Sequence, residues 1–295
     1  AMSYYVGTAN QNYGGKYYRL TDDIDLGARW TIDADGNATL NSGKAWTPMA
    51  DFYGSGQQCF FGNFDGDNHT ISGLYLNSGA NYQGLFGGVR SAVIENVGLV
   101  DSYIRGTYSI GGIVGTVIFR EDDPNGRVST IRNCYNKSTI IGHSFVGGIA
   151  GEISGRMVNI VDCYNEGEIT AAIGGVGGLA GDAMSDVQIR NCYNTGTIID
   201  NGSTGSSCAA GLLGSFAGTA AACYDAGSIE GPAANVNYWR GALIGNLDRS
   251  ASLEGCYYLE DTAPAGIARM NTTETNIYEA LPASREEMTS GKLAH

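Results

Sequence analysis

Ile131-Arg132-Asn133-Cys134-Tyr135-Asn136 decides the reading of this chain. The same phrase returns as Ile160-Val161-Asp162-Cys163-Tyr164-Asn165 and again as Ile189-Arg190-Asn191-Cys192-Tyr193-Asn194. Shorter echoes follow at Cys223-Tyr224-Asp225 and Cys256-Tyr257-Tyr258, and an earlier copy, Ile94-Glu95-Asn96-Val97-Gly98-Leu99, has Val97 at the cysteine position. Successive cysteines stand 29, 29, 31 and 33 residues apart. A period of that size marks a repeat architecture, each unit one supersecondary element that buries its apolar face only against its neighbours.

Ahead of each of these phrases lies a Gly-apolar-apolar-Gly block. It reads Gly84-Leu85-Phe86-Gly87, Gly112-Ile113-Val114-Gly115, Gly148-Ile149-Ala150-Gly151, Gly178-Leu179-Ala180-Gly181 and Gly211-Leu212-Leu213-Gly214, with a weaker copy at Ala242-Leu243-Ile244-Gly245. Between the blocks the apolar bursts are of strand length, broken by Gly, Asn, Asp or Ser, and none continues as an amphipathic stretch long enough for a helix. Helical repeats are therefore excluded. Propeller blades need about 40–50 residues each, more than these units hold. The expected fold is all-β, a right-handed parallel β-helix.

In a parallel coil, equivalent residues lie one above another at roughly 4.8 Å, so like residues form files along the rod. The repeats predict an inward apolar file (Ile94, Ile131, Ile160, Ile189) and an Asn/Asp file at the bends (Asn96, Asn133, Asp162, Asn191). They also predict an inward Val/Cys file and an outward file of Tyr135, Tyr164, Tyr193, Tyr224 and Tyr257. Asn suits the bends because it tolerates the left-handed backbone and its amide can bond to copies above and below. The tyrosines are the candidate ligand-binding residues, since aromatic faces stack on sugar rings and the hydroxyl offers a hydrogen bond. Stacking also stabilises such a rod without any ligand.

Composition agrees with this reading. The chain has 295 residues with 45 Gly and 5 Pro, which implies many tight turns, and its Lys+Arg 17 against Asp+Glu 30 give a net charge of −13. That balance opposes nucleic acid, whose phosphates need Lys and Arg. No apolar run is long enough to span a bilayer.

Seven cysteines are present, five of them in the file and two, Cys59 and Cys208, outside it. Their spacing matches no zinc motif, and parallel in-register side chains fit disulfide torsions poorly, so a reduced, buried file is expected.

The ends differ from the middle. Residues 1–78 read as an N-terminal cap and first coil, 79–260 as the repeats and 261–295 as a C-terminal cap. In the last segment Ser284-Arg285-Glu286-Glu287 carries a capping-box signature for one short helix. The absence of a signal segment before Ala1-Met2 and of a tail after His295 reads as a fragment of a longer polypeptide.

The phrases Tyr18-Arg19-Leu20-Thr21-Asp22-Asp23-Ile24-Asp25-Leu26 and Phe60-Phe61-Gly62-Asn63-Phe64-Asp65-Gly66, followed by the glycine blocks, resemble the GLUG-motif repeat proteins of bacterial cell surfaces. Such repeats occur in large surface and secreted proteins of Gram-positive and gut bacteria, some beside immunoglobulin A metallopeptidase domains. The resemblance implies an extracellular, cell-surface or cell-wall module, a stalk or adhesin, and not a reaction. The His-Glu-x-x-His of a metallopeptidase is missing, since the only histidines are His69, His143 and His295.

A polysaccharide-active enzyme, the alternative reading, needs two carboxylates roughly 5–10 Å apart, and Asp22, Asp23 and Asp25 or Asp65 and Asp67 are the candidates. Asp33 to Asn37 and Glu121 to Gly126 resemble calcium loops, but Ala38 and Lys44 occupy the Gly and Glu positions of an EF-hand started at Asp33. Solvated acidic turns explain both. The reading is thus a monomeric, non-enzymatic module without cofactor or metal, with a glycan or host protein as partner.

Overall fold

The computed structural model describes residues 16–33, 36–50, 59–119, 128–184, 186–202, 207–231, 238–248, 250–270 and 278–290. The chain is a parallel β-helix. One coil runs through strands Val158–Val161, Tyr164–Asn165, Ile169–Ala171, Gly174–Gly177 and Ala180–Ala183 before Val187–Arg190 begins the next. Short strands follow from the sequence, because a bend residue or glycine interrupts every apolar burst. Val158 lies beside Val187 and Ile160 beside Ile189 in parallel register, so each coil repeats its predecessor one strand spacing away.

The coils build an 18-stranded, a 7-stranded and a 5-stranded parallel sheet. The one antiparallel pair among the described residues is the hairpin of Arg29–Ile32 with Ala38–Ser42. Its Trp30 packs against the stacked rings of Tyr75 and Tyr103. Parallel pairing begins well before the glycine blocks, since Tyr17–Arg19 already lies on Asn63–Asp65. At the other end the helix Arg285–Thr289 (α1) has the predicted capping box, with the Ser284 side chain accepting from the Glu287 backbone N–H and the Glu287 carboxylate accepting from the Ser284 N–H. Among the described residues no helix is long and apolar enough to cross a membrane.

The predicted files are present. Phe64, Ile94, Ile131, Ile160, Ile189, Ala220 and Leu253 follow one another in register, all buried. Asn96, Asn133, Asp162 and Asn191 all have positive φ, between 49° and 56°. The Asn133 amide donates to Asn96 Oδ1 at 2.9 Å and that of Asn191 to Asp162 Oδ1 at 3.1 Å. Val97, Cys134, Cys163, Cys192, Cys223 and Cys256 form the inward file, and none of the seven cysteines forms a disulfide.

Burial shields the thiols of the file from reagents, because the reactive form is the thiolate and a charge is disfavoured away from water. Burial, followed by contact with Cys134 and Cys192, pushes the Cys163 thiol well above its ordinary value. A thiol reagent at pH 8 is therefore expected to label the half-buried Cys59 in the native protein and the file cysteines only in denaturant. Rapid native labelling of Cys163, mapped by mass spectrometry, would contradict this packing.

A further file was not foreseen. Cys134 points inward and Tyr135 outward, so strand alternation turns Asn136 inward again. Asn136, Asn165, Asn194 and Asp225 are all fully buried. Each amide donates to the next side chain, Asn136 to Asn165 at 2.8 Å, Asn165 to Asn194 at 2.8 Å and Asn194 to Asp225 at 2.9 Å. Each amide also donates to the carbonyl two residues on, at Ser138, Gly167 and Gly196.

This polar ladder explains the glycine blocks. A β-carbon on Gly148 would collide with Asn165 Oδ1 and with the Gly178 carbonyl, and one on Gly178 with Asn194 and the Gly211 carbonyl. The opening glycine of the block is thus the seat of the ladder. The two halves of the repeat recur together because they touch.

Candidate functional site

The outward tyrosines stack as expected, but not all five of them. Ring centroids are 4.8 Å apart for Tyr135 and Tyr164, 4.7 Å for Tyr164 and Tyr193 and 4.9 Å for Tyr193 and Tyr224, with interplanar angles of 5°, 3° and 5°. Tyr257 follows Tyr224 in backbone register, yet its ring does not join the stack. The strand spacing alone sets this geometry, since rings on adjacent parallel strands are held at about the interstrand distance. Burial, with Tyr164 and Tyr224 adding to it, pushes the Tyr193 hydroxyl up to about 12, so this ring presents a neutral phenol near pH 7.

Stacking limits what the file can do. Inner ring faces are covered by their neighbours, leaving edges and hydroxyls outward. At the first end Tyr135 lies over Gly98, its register partner, where any β-carbon would collide with the ring. Lys137 reaches over the edges of Tyr135 and Tyr164, 5.6 and 5.9 Å from their centroids, while paired at 2.7 Å with Glu166. The far face of Tyr224 has no ring upon it.

Beyond Tyr224 opens a cleft of about 770 Å³, lined among others by Arg190, Ala221, Tyr224, Glu254, Tyr257 and Met288 of helix α1. The sequence of that coil makes the space. Where other coils carry Ile131-Arg132-Asn133 or Ile189-Arg190-Asn191, this one has Ala220-Ala221-Ala222. Ala221 lies between Arg190 and Glu254 in register. Sequence reading missed this notch, although the alanine run was the signal for it.

Ala222 keeps the bend conformation, with φ 53°, where its neighbours offer Asn191 and Gly255. A side chain without a local hydrogen bond is strained there, by on the order of 1–2 kcal/mol. Ala222→Asn is therefore expected to raise stability by about 1 kcal/mol, read as an increased urea midpoint. No gain, or a loss, would show that the bend file is not limited by backbone preference.

The carboxylates named from sequence are engaged in structure. Asp65 accepts from Tyr17 Oη, the Asn96 amide and the Asp67 N–H, each at 2.8 Å. Burial pulls its carboxyl up, but these hydrogen bonds outweigh it and hold it below the ordinary value. Asp25 is paired with Arg29 at 2.7 Å, and Asp67 with Arg19 at 2.5 Å. Asp23 accepts from the Thr70 N–H at 2.7 Å. Asp22 accepts the Asp23 N–H at 2.9 Å in an exposed turn.

A different pair is brought together, Glu152 and Asp182, in register on adjacent strands of the 7-stranded sheet. Burial and then Glu152 raise the Asp182 carboxyl to about 6, and Ser109 Oγ donates to Glu152 at 2.6 Å. Of the calcium-like loops, Asp33 caps a turn by accepting the Asn37 N–H at 2.8 Å, while the Glu121 to Gly126 stretch lies outside the described residues. Among the described residues no group of three or more potential metal ligands assembles.

The fold is shared with a known crystal structure. It is that of a candidate immunoglobulin A1 protease from Bacteroides ovatus, with a TM-score of 0.71 at 23% identity over 96% of this chain and 81% of that one. At this identity the likeness establishes the parallel β-helix. In sequence, 136 residues, or 45% of the chain, are 38% identical to halomucin of Haloquadratum walsbyi, and the match spans 1% of that very long protein. No family model matches the chain.

Proposed function

We propose that this chain is an exported, non-enzymatic β-helix module of a larger surface protein, a stalk whose tyrosine face adheres to glycan or to a host protein. The observation that carries the reading is the file of stacked phenol rings on one outward side of the rod, ending in a cleft. Tyr135, Tyr164, Tyr193, Tyr224 and Tyr257 are the contact residues of this proposal. Two comparisons support an extracellular address, since one relative is named a mucin and the shared fold occurs in a protein named for immunoglobulin A1, both found outside cells. On this reading residues 1–78 and 261–295 cap the repeats of 79–260, and the module works as a monomer without cofactor.

A glycan array and a panel of immobilised host glycoproteins test the adhesive face. The variant carrying Tyr164→Ala, Tyr193→Ala and Tyr224→Ala together is expected to lose at least tenfold in binding while keeping its β-sheet circular dichroism. Undiminished binding by that variant would remove the tyrosine face from the function.

The second reading, a polysaccharide-active enzyme, now rests on Glu152 and Asp182 rather than on the N-terminal aspartates. A carboxyl raised to about 6, with a second carboxyl side chain on the adjacent strand, has the makings of the acid partner that hydrolysis of a glycosidic bond requires. Reducing-sugar release from a polysaccharide panel, lost in Asp182→Asn, would favour it; the module reading expects no release.

A further inference from the structure

We infer that the cleft beside Tyr224 is a slot for a single pyranose unit of a glycan, seated with its C–H face on the uncovered ring and its hydroxyls between Arg190 and Glu254. The inference rests on the adhesive reading of the tyrosine face and narrows it to one end of the stack. Three observations carry it.

First, the stack is closed at one end and open at the other. Tyr135 is seated on Gly98, and the inner rings cover one another, so among the four stacked rings Tyr224 alone offers a free face, and it is 36% exposed. Tyr257 stands at the next rung without stacking on it and lines the same cleft.

Second, the charged file is broken here in a particular way. One rung apart, Glu95 and Arg132 form an ion pair. Arg190 and Glu254 stand two rungs apart, roughly 10 Å by strand spacing, with Ala221 between them. Neither makes an ion pair among the described residues. Arg supplies only donors and a carboxylate only acceptors, whereas a sugar hydroxyl is both and can bridge to either side.

Third, the coil departs from its own repeat to keep the space open. Ala221 stands where Arg132 and Arg190 stand in other coils, and Ala222 holds a left-handed bend that Asn or Gly would occupy with less strain. Residues that break a local rule without structural gain are expected at functional sites.

The chemistry selects among ligands. A phosphate or other anion would meet Glu254 as well as Arg190, on a chain of net charge −13. An aromatic side chain of a protein partner would use Tyr224 but leave both charged groups unmatched. A pyranose has an apolar face for the ring and a rim of hydroxyls for the two charged groups.

The test is a printed array of oligosaccharides probed with the wild-type chain, Ala221→Arg, Tyr224→Ala and Tyr164→Ala. Ala221→Arg introduces the residue that stands at this position in two other coils, Arg132 and Arg190, so it fills the notch with a side chain the fold accepts; circular dichroism and thermal melting verify each variant. Ala221→Arg and Tyr224→Ala are expected to lose at least tenfold in binding, Tyr164→Ala clearly less than either, and the free methyl glycoside of the bound sugar to compete. Glycan binding that survives Ala221→Arg but is lost in Tyr164→Ala would overturn the slot and leave the adhesive face standing. Capture of an unglycosylated, aromatic-rich peptide in place of any sugar would overturn the sugar assignment. Wild-type binding to neither glycans nor glycoproteins would overturn both readings.

Discussion

Asn165→Ala is expected to lower the unfolding free energy by about 3–4 kcal/mol, a large effect for the loss of one small side chain. Asn165 accepts from the Asn136 amide at 2.8 Å and from the Gly167 N–H at 3.2 Å, and donates to Asn194 Oδ1 at 2.8 Å and the Gly167 carbonyl at 3.0 Å. All of this lies out of reach of water. Removing the amide leaves the Asn136 and Gly167 donors without acceptors, and a buried unsatisfied group costs about 1–3 kcal/mol. A chain of amides polarised in one direction also weakens along its length when a link is cut. Urea unfolding with an unchanged slope and a lowered midpoint would report the effect. A change below about 1 kcal/mol would mean that the ladder contributes little to stability.

Asp225→Asn should stabilise the protein, and increasingly so as the pH rises. Asp225 ends the ladder, accepting from Asn194 at 2.9 Å and from the Gly227 N–H at 3.3 Å, while its Oδ2 is buried without a partner. Burial pushes its carboxyl up to about 7, against which these two hydrogen bonds work. The folded state therefore holds this proton more tightly than the unfolded chain, where the ordinary value is 3.8. Stability from this group is fully present below about pH 4 and is lost as pH rises through about 7. The difference of about three pKa units corresponds to roughly 4 kcal/mol.

Asparagine at 225 carries no charge to bury and can donate to Gly227 as Asn194 does to Gly196. Urea midpoints at pH 5 and pH 8 are expected to fall for the wild type and to change far less for Asp225→Asn. Asp182, raised to about 6, leaves a common slope in both proteins, so their difference is the readout. Parallel pH profiles would show that Asp225 is not the titrating group.

Much of the rod was legible before any coordinates. The three full copies around Cys134, Cys163 and Cys192 place like residues at like positions, and parallel stacking converts that identity into files. Asn133, Asp162 and Asn191 could be assigned to bends because few other residues accept positive φ without strain. The inward asparagines were also within reach, since a residue two places after an inward cysteine points inward too. They were passed over because polar residues are ordinarily placed outside.

The candidate site was less legible. The stack was foreseen but its ends were not, because Gly98 and Tyr257 differ from the repeat in ways that matter only when seated against particular rings. Likewise Glu152 and Asp182 carry no motif; register alone makes them neighbours.

The sequence by itself determined the period, the parallel pairing and which residue types would share a file, because repetition at nearly constant spacing leaves a stacked strand no other neighbour. Only the tertiary structure decided which residues meet across a coil. Gly112 meets Asn136, Gly148 meets Asn165, Gly178 meets Asn194 and Gly211 meets Asp225, at separations of 24, 17, 16 and 14 residues. Turn lengths vary from coil to coil while the stacking direction does not. Contacts along the rod are therefore periodic in sequence, and contacts across it, including the open face of Tyr224, are not.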